Sequence, residues 1–351
     1  MLGFSNKGQS NSDNDNAQGF TFANLKESAR VNLDTGRSMW DGLTDKLKDL
    51  PETNYQVGQM MVMRGAVKDA VFRFRIALWF DKNHLASHYA LGCCYIDLGN
   101  KEKAAQHLVR ALQIKPAYEE ARFMLARIRP DLVPADQRPK YMPTNMLMDY
   151  FTVLAPHYDD RQEVGQYNGP NLVEHYLNAE LDERRVDYHL LDVGCGTGLI
   201  GARLRERMQY ITGVDLCRPM LEKLVAKRDD REKQPYDVVV EDTMAAHFQK
   251  DTPATIDIIT AINTLQYSGD LSAFFEGAKR LLKEKGVLMF TFYPNTQTSD
   301  FGLVSEKGYF GHNPSYIEGL ATRAGLKKIH HSDAQLYPKV MHTIALYRND
   351  A

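Results

Sequence analysis

The sequence contains little cysteine, little net charge and no long apolar run. Its 351 residues include four cysteines, none of them in a CxxC pair or at zinc-ligand spacing. This usage predicts reduced thiols, a cytoplasmic location and no metal site. A formal net charge of −2 provides no positive field for nucleic acid or for an anionic membrane. No stretch approaches the roughly 18 apolar residues of a membrane span, and the polar N-terminus lacks a signal-peptide core.

A chain of 351 residues exceeds one ordinary domain, so two domains and a tail are expected. Residues 1–19 are polar and rich in glycine and asparagine, which predicts a disordered tail. Residues 20–50 form an N-terminal extension with apolar residues at rough helical spacing: Met39, Trp40, Leu43, Leu47 and Leu50. We interpret this extension as a short amphipathic helix docked on the next segment, with a membrane-surface helix as the alternative.

Residues 51–129 repeat on themselves with an offset of 34 residues, the tetratricopeptide period, so that Gly58 aligns with Gly92. The second copy carries the signature residues of that repeat: Leu91, Gly92, Tyr95, Gly99, Ala104, Ala111 and Pro116. The first copy is weaker, because Met61 stands in place of the tyrosine and Lys82 in place of the proline. The segment therefore resembles a short tetratricopeptide array.

A third helical stretch, residues 118–128, is expected to form a solvating cap on these repeats. Two repeats and a cap fall below the usual minimum of about three units, so they should lean on the following domain or on residues 20–50. Residues 130–147 are polar and punctuated by prolines, which predicts a linker. Residues 148–351 then form the second domain.

Within the second domain, apolar runs alternate with helical patterns, which predicts a parallel α/β sheet. The expected strands are 189–193, 210–216, 236–240, 256–262 and 286–293, and the expected helices lie near 171–181, 198–208, 219–228, 271–284 and 313–324. Residues 327–332 and 340–347 are also strand-like and lie too close together for a crossover helix. The last pair must therefore be antiparallel, which gives a seven-stranded sheet.

The stretch from Leu190 to Gly201 joins a buried strand to a helix through a glycine-rich turn. Gly194, Gly196 and Gly198 remove side chains where the backbone must approach a ligand closely. The free N–H groups at the start of the following helix point to the same place. By itself this spacing is only moderately specific, because it allows any nucleotide cofactor.

Polar residues follow the next three predicted strands. Asp215 ends the second strand, where a carboxylate about 20 residues beyond a glycine loop binds a ribose diol. Asp242 follows the third strand and is placed to accept a hydrogen bond from an adenine amino group. Asn263 follows the fourth strand, at the sheet edge where open α/β sheets hold their ligands.

Residues 186–348 resemble a class I S-adenosylmethionine-dependent methyltransferase, whose sheet is Rossmann-like. The resemblance rests on 191–198, 213–215, 241–242 and the antiparallel ending. A narrower resemblance, to predicted bacterial methyltransferases that carry tetratricopeptide repeats, covers roughly 53–348. Its residues are Phe151, Ala155, Tyr158, Asp159, Tyr167, Pro170, the stretches 265–271 and 308–312, and Tyr316. The weak first repeat and the N-terminal extension depart from that pattern.

This resemblance implies S-adenosyl-L-methionine as the cofactor. It implies that the methionine portion is held by Asp192 and the loop residues Val193, Gly194, Cys195, Gly196, Thr197 and Gly198. Asp215 would bind the ribose hydroxyls. The adenine would lie between Leu216 and Met220, with Asp242 and Thr243 at its edge.

The resemblance also implies that Tyr158 and Tyr167 cover the cofactor from an N-terminal lid, with plain core packing as the alternative. Asn263 would begin the wall on the methyl side. The four cysteines, Cys195 included, are expected to pack as small hydrophobic residues.

Methyl transfer from a sulfonium mainly requires in-line positioning, together with removal of a proton when the acceptor is a hydroxyl or an amine. We predict His312 and Tyr267 as catalytic residues, with Tyr309 and Tyr316 as further candidates for that proton. A histidine near its reference pKa of about 6.5 is a natural base. The alternative for His312 is a structural role in capping the helix that follows it.

The resemblance thus implies a methyltransferase that acts on an acceptor the sequence does not identify. Its repeats would dock a protein, either the substrate itself or a complex that delivers it. The alternative is a non-catalytic assembly or scaffold protein that retains the fold and interacts through its repeats. Neither a nucleic-acid partner nor a membrane span is expected.

Overall fold

The computed structural model describes residues 49–228, 233–250, 252–304 and 308–350. The predicted tail and the extension up to residue 48 lie outside these residues. Within the described ranges, every helix is too short or too polar to cross a membrane.

Five helices form the repeat segment. They are α1 (Leu50–Met63), α2 (Val67–Phe80), α3 (Leu85–Asp97), α4 (Lys101–Ile114) and α5 (Glu119–Ile128). The paired helices touch at the aligned glycines: a Cβ on Gly58 would lie 2.5 Å from the Phe74 ring, and one on Gly92 would lie 2.7 Å from Leu108. The period of 34 residues therefore corresponds to two helix pairs that pack through small residues.

Helix α5 is not the solvating cap that the sequence predicted. Its side chains Phe123 and Leu125 are almost completely buried, and the Phe123 ring contacts Phe310 at a centroid distance of 6.2 Å. Phe310 belongs to the second domain, so the short array leans on that domain, as its repeat number predicts. The pattern of α5 looked peripheral because its partner lies almost 190 residues further along the chain.

The predicted linker also packs against the second domain. Val133 and Met142 are buried in the same cluster as Phe310. The backbone N–H of Met142 donates to the carbonyl of Tyr267 at 2.9 Å, and that of Gly269 donates to the carbonyl of Lys140 at 2.7 Å. The prolines of this segment correctly predicted little regular structure. Composition alone does not show whether such a segment packs against a neighbouring domain.

The second domain contains a seven-stranded sheet, as predicted. Its strands are β1 (Tyr188–Val193), β2 (Met208–Asp215), β3 (Val238–Glu241), β4 (Ile256–Ala261), β5 (Leu282–Phe292), β8 (Leu326–Tyr337) and β9 (Val340–Asn349). Their order is β3-β2-β1-β4-β5-β9-β8, and β9 is antiparallel to both β5 and β8. A separate hairpin, β6 (Phe301–Val304) with β7 (Tyr309–His312), was not predicted.

Helices cover both faces of this sheet. They are α6 (Thr144–Leu154), α7 (Tyr158–Val164), α8 (Gly169–Glu180), α9 (Leu199–Leu204), α10 (Arg218–Ala226), α11 (Met244–Lys250), α12 (Ser272–Leu281) and α13 (Pro314–Arg323). Leu191 and Leu190 point into the two different core clusters, one on each face. Burial on both faces explains why the central strands are continuous apolar runs. The parallel strands bring their carboxyl ends to one edge, where the candidate site lies.

Candidate functional site

The glycine loop between β1 and α9 has a backbone that other residues rarely adopt. Gly194, Gly196 and Gly198 have φ values of 70°, 53° and 85°. The N–H groups of Gly194 and Cys195 both donate to the Val214 carbonyl, at 2.7 and 3.2 Å, which fixes the loop to the end of β2. The loop is therefore a rigid backbone cradle at the edge of the sheet.

Asp215 supports this loop from the end of β2. Its carboxylate accepts hydrogen bonds from the N–H of Gly196 at 2.9 Å and from the N–H of Cys217 at 2.8 Å. Burial raises the pKa of Asp215, and these hydrogen bonds oppose the rise. The backbone N–H of Asp242 donates to the Asp215 carbonyl at 3.1 Å. The two acidic residues predicted for the nucleotide thus lie side by side at one edge.

Asp192 lies under the glycine loop and is 1% exposed. One carboxylate oxygen accepts a hydrogen bond from the Tyr236 hydroxyl at 2.5 Å, and the other accepts one from Thr260 Oγ1 at 2.7 Å. Burial raises the pKa of Asp192 to about 6, although both hydrogen bonds lower it. The structure therefore places this side chain as a support for the loop, whereas the resemblance implied a residue that contacts the ligand.

Tyr236 is a residue that the sequence analysis missed. Besides donating to Asp192, its hydroxyl accepts a hydrogen bond from the Gly201 N–H at 2.9 Å. A Cβ on Gly201 or on Gly213 would lie only 2.3 or 2.7 Å from its ring. These two glycines, one in a helix and one in a strand, were the available signal, because an isolated glycine in such a pattern marks close packing.

The residues predicted for the adenine lie at the same edge. Met220 is buried against Ala155 and Cys217, and Leu216 is half-buried. Asp242 forms an ion pair with Lys250 of α11 at 2.6 Å, and the hydrogen bond from Lys250 lowers the pKa of Asp242. The Thr243 hydroxyl accepts a hydrogen bond from the Ala246 N–H at 3.2 Å.

Helices α6 and α7 (residues 144–164) form a lid over the loop. Asp159 in this lid accepts a hydrogen bond from the Thr197 hydroxyl and forms an ion pair with Lys227 at 2.6 Å. Tyr158 lines the adjacent cavity, whereas Tyr167 packs against Tyr337 at a centroid distance of 5.1 Å. Burial raises the pKa of both phenols well above the ordinary value, so they stay neutral.

A cavity of about 330 Å³ lies between the lid and the sheet edge. Its walls are Met142, Tyr150, Phe151, Leu154, Tyr158, Asp160, Arg161, Gln162, Val164, Gly165, Asn263, Gln266, Tyr267, Gly308, Tyr309, Tyr337 and His342. Six of these side chains are aromatic rings of tyrosine or phenylalanine. Thr264, next to Asn263, is so close to Gly194 that a Cβ there would lie 2.2 Å from its hydroxyl. The cavity therefore adjoins the glycine loop.

Asn263 connects the two sides of this cavity. Its backbone has a φ of 57°, which asparagine tolerates better than most residues. Its N–H donates to Thr291 Oγ1 at 2.8 Å, and its side chain donates to the Tyr337 hydroxyl at 3.2 Å. That hydroxyl donates in turn to Gln162 of the lid at 2.7 Å. The wall predicted at Asn263 is thus held by both the sheet and the lid.

Of the two predicted catalytic residues, Tyr267 lines the cavity and His312 does not. His312 is completely buried, and its Nε2 lies 2.8 Å from the Ser268 carbonyl. Burial lowers its pKa to about 4. This corrects the expectation that His312 faces the acceptor. Tyr309 also lines the cavity, whereas the Tyr316 hydroxyl accepts a hydrogen bond from Leu271 N–H outside it.

The histidine that does line the cavity is His342 of β9. The sequence analysis missed it, because a polar residue in a largely buried strand gives no sign of which residues pack around it. Gln162 and Tyr337 were missed for a similar reason, because they come from distant parts of the chain. Gln266 lies in the stretch 265–271 that carried the resemblance, but it was given no role there.

Two family models match this chain. Residues 191–288 match the model of a methyltransferase domain, and residues 86–118 match that of the tetratricopeptide repeat. A ubiquinone biosynthesis O-methyltransferase of Idiomarina loihiensis is 30% identical over 128 residues, which cover 36% of this chain and 51% of that relative. Another of this name, from Paracidovorax citrulli, is 28% identical and covers 32% and 45%. The chain thus spans about half the length of these curated relatives.

Solved structures also resemble the chain. The magnesium protoporphyrin IX methyltransferase of Synechocystis PCC 6803 with bound SAH is 17% identical, with a TM-score of 0.47. The similarity covers 58% of this chain and 98% of that chain.

The Tyr236 hydroxyl should stabilise the site measurably. Tyr236→Phe keeps the ring but leaves Asp192 without one donor and the Gly201 N–H without its acceptor. We expect the free energy of unfolding in urea to fall by about 1–3 kcal/mol. Tyr210→Phe is the matched control, because Tyr210 lies on β2 with 41% exposure. Equal stability of the two variants would contradict the assigned role of Tyr236.

The structural role of His312 predicts a pH dependence of stability. In the folded protein the pKa of His312 is about 4, below the ordinary value of 6.5. The neutral imidazole therefore favours the folded state fully above pH 6.5, and this contribution to stability is lost as the pH falls towards 4. Because of His312 alone, the free energy of unfolding should fall by about 2 kcal/mol between pH 7.5 and pH 5. His312→Gln should remove that loss, because glutamine can still donate to Ser268.

The comparison requires urea unfolding at several pH values. His175→Gln serves as the control, because His175 is exposed on α8. If His312→Gln kept the full loss of stability in acid, the buried neutral imidazole would not be its cause.

Proposed function

We propose that this chain, which carries a methyltransferase domain and a tetratricopeptide repeat, is an S-adenosylmethionine-dependent methyltransferase. The observation that carries the proposal is the adjacency of two features. The glycine loop and Asp215 lie within the residues that match the methyltransferase model, and a cavity adjoins that loop. The glycine loop with Asp215 suits a cofactor, and the cavity suits a methyl acceptor.

The residues present fit S-adenosylmethionine. Gly194 and Gly196 have left-handed backbones without side chains, so the loop can approach a ligand closely. Asp215 is half-buried, and two N–H groups orient its carboxylate at the edge where a ribose would bind. When bound, the cofactor supplies a methyl group on a positively charged sulfur. Asp192, Tyr236 and Asp159 act indirectly by holding the loop and the lid in place.

The cavity residues supply positioning and proton removal. The Tyr267 phenol stays protonated because burial raises its pKa well above the ordinary value, so it can orient an acceptor but not act as a base. His342 offers an imidazole on the same wall, and we propose it as the group that takes up the acceptor proton. Because positioning provides most of the acceleration of methyl transfer, a rigid wall matters as much as the base.

We propose oxygen as the acceptor atom, supported by the name of the O-methyltransferases that share the glycine-loop region. We also propose that the protein is cytoplasmic, which fits its four buried cysteines, since none of them forms a disulfide. The alternative, a non-catalytic scaffold, requires neither the cavity nor a supported glycine loop, and the adjacency of the two favours the enzyme.

We propose in addition that the repeat segment docks a protein. The match to the tetratricopeptide model supports this, and so does an apolar stripe on the outer face of α2. Phe72, Trp79 and Phe80 in this stripe are 62%, 77% and 48% exposed. Large exposed apolar side chains that lie together are typical of interaction surfaces.

Asp215→Ala should weaken the binding of S-adenosylmethionine at least tenfold, because it removes both the ribose acceptor and the group that orients Gly196. Isothermal calorimetry measures the dissociation constant, and a thermal melt shows that the variant is folded. Asp333→Asn, an exposed position on β8, is the control and should bind normally. A folded Asp215→Ala variant with unchanged affinity, or a wild-type chain that binds no cofactor at micromolar concentration, would overturn the proposed function.

The docking surface can be tested by placing a photoreactive benzophenone amino acid at position 79. Irradiation in cells should join the chain to a different protein at this position. The same group at the exposed Tyr210, on the sheet domain, should not capture that protein. Crosslinks from position 79 that reach only residues of the same chain or a second copy of it would contradict docking of a partner.

A further inference from the structure

Arg161 is a cation in the wall of the cavity that has no protein partner. It lies on α7 of the lid and is exposed at the mouth of the cavity. Its guanidinium forms no ion pair and no hydrogen bond with any other residue that the structure describes. Arginine keeps its charge at every physiological pH and carries five N–H donors. These donors are therefore available to a ligand in the cavity.

The helical position of Arg161 places it beside the inner face of the lid. Residues three and four apart on a helix are neighbours, so Arg161 shares a face with Tyr158 and with Gly165, at the end of α7. Gly165 is buried, and a Cβ there would lie 3.7 Å from the Tyr337 ring. Asp160, the acidic wall residue, shares the other face with Val164, which is 81% exposed. The positive charge is therefore nearer to the aromatic walls than the negative one.

The charge of Arg161 acts on the opposite part of the wall. Tyr150 of α6 lines the same cavity, and burial raises the pKa of its phenol. The positive charge of Arg161 opposes that rise, because it stabilises negative charge on the phenol oxygen. Water screens charges that lie far apart, so the guanidinium and the Tyr150 ring must be close together. A negative group of a ligand beside Tyr150 would be stabilised by the same interaction.

The neighbours of Arg161 hold its backbone in place. Asp159 accepts a hydrogen bond from the Thr197 hydroxyl of the glycine loop, and Gln162 accepts one from the Tyr337 hydroxyl at 2.7 Å. The lid is thus attached to the second domain on both sides of Arg161. A ligand that pairs with the guanidinium does not have to order the helix first, which lowers the entropic cost of binding.

The remaining walls suit the apolar part of a ligand. Six aromatic side chains line the space: Tyr150, Phe151, Tyr158, Tyr267, Tyr309 and Tyr337. Burial raises the pKa of Tyr337 to about 12 and that of Tyr267 well above the ordinary value, so these two phenols are neutral. A volume of about 330 Å³ accommodates one or two fused rings. An ionic group among the rings would lose its hydration, so it belongs at the mouth beside Arg161.

From this arrangement we propose that the cavity binds an organic carboxylate with an apolar body, and that the carboxylate pairs with Arg161. The body packs among the aromatic side chains, while the carboxylate stays at the mouth, where the guanidinium and water share its charge. The planar fork of arginine matches the two oxygens of a carboxylate. The proposal rests on the proposed function and names its substrate class. Arg161 is a specificity residue that acts at a distance from the transferred methyl group.

The substrate class is tested by calorimetry on the full-length wild-type chain saturated with S-adenosylhomocysteine. Three probes of one shape are compared: the anion 2-naphthoate, the neutral 2-naphthamide and the cation 2-naphthamidine. We expect 2-naphthoate to bind about fivefold more tightly than 2-naphthamide, a modest factor because Arg161 is exposed, and 2-naphthamidine to bind most weakly. The preference should shrink when the salt concentration rises from about 50 to about 500 mM. Equal binding of the anion and the amide, tighter binding of the cation, or no binding of 2-naphthoate would overturn the proposal.

The role of Arg161 is tested with Arg161→Gln, which removes the charge and keeps a polar side chain. This variant should bind 2-naphthoate about fivefold more weakly than the wild type but bind 2-naphthamide equally well. Arg161→Lys should keep part of the preference, because it retains the charge without the fork. A general packing defect would weaken both probes and would count against the proposed ion pair. Arg184→Gln, at an exposed position before β1, is the control and should bind both probes as the wild type does.

The failure of this proposal can be distinguished from the failure of the proposed function. If the wild-type chain binds no S-adenosylmethionine, the methyltransferase assignment fails, and the same probes on the cofactor-free chain still decide whether the cavity selects a carboxylate. If the chain binds the cofactor but shows no preference for 2-naphthoate, only the substrate class fails. If Arg161→Gln does not fold, the Arg161→Lys variant and the salt dependence of the wild type decide whether the guanidinium is the partner.

Discussion

The buried carboxylate of Asp192 is the point on which the rest of the site depends. Its two hydrogen bonds join the end of β1 to β4 through Thr260 and to the chain before β3 through Tyr236. An acid that is 1% exposed is costly to bury, and its pKa of about 6 reflects that cost. Positions 201 and 213 require glycine, because the Tyr236 ring leaves no room for a Cβ at either position. The glycine loop that follows Asp192 is fixed in addition by its hydrogen bonds to the Val214 carbonyl and to Asp215.

A second set of contacts extends that rigidity from the loop to the cavity. Asp159 ties the lid to Thr197, and Gln162 ties it to Tyr337. Asn263 then joins Tyr337 to the sheet edge. The wall of the cavity is therefore positioned by hydrogen bonds that converge from the lid, from the end of β4 and from β8. Such fixed geometry suits the proposed methyl transfer, because that chemical step needs little beyond alignment.

The repeat segment also contributes to this wall. Helix α5 packs through Phe123 on Phe310 of the β6–β7 hairpin, and Met142 holds the backbone of Tyr267. The adjoining Tyr309 and Tyr267 line the cavity. The proposed docking face on α2 and the proposed acceptor site thus belong to one packed unit. This arrangement explains why a short array of two repeats can be stable without a third.

The sequence by itself determined the seven strands of the main sheet, the repeat period, the glycine loop and the position of Asp215, but not helices α6, α7 and α11 or the β6–β7 hairpin. These features depend on residues close together in the chain, where apolar periodicity and glycine geometry act locally. The antiparallel ending also followed, because a connection of two residues cannot contain a crossover helix. Most of the fold was therefore predictable, and so was the position of the glycine loop and Asp215 at one edge of the sheet.

Only the tertiary structure decided which polar side chains are enclosed and what they meet. Tyr236 pairs with Asp192 across 44 residues, and Tyr337 meets Gln162 across 175. The structure buried His312, placed His342 and Gln266 on the cavity wall, and enclosed α5. In each case the environment comes from segments far apart in the chain, and no local pattern reports it. The physical reason is that burial and hydrogen-bond partners are properties of the packed fold, whereas periodicity is a property of the chain.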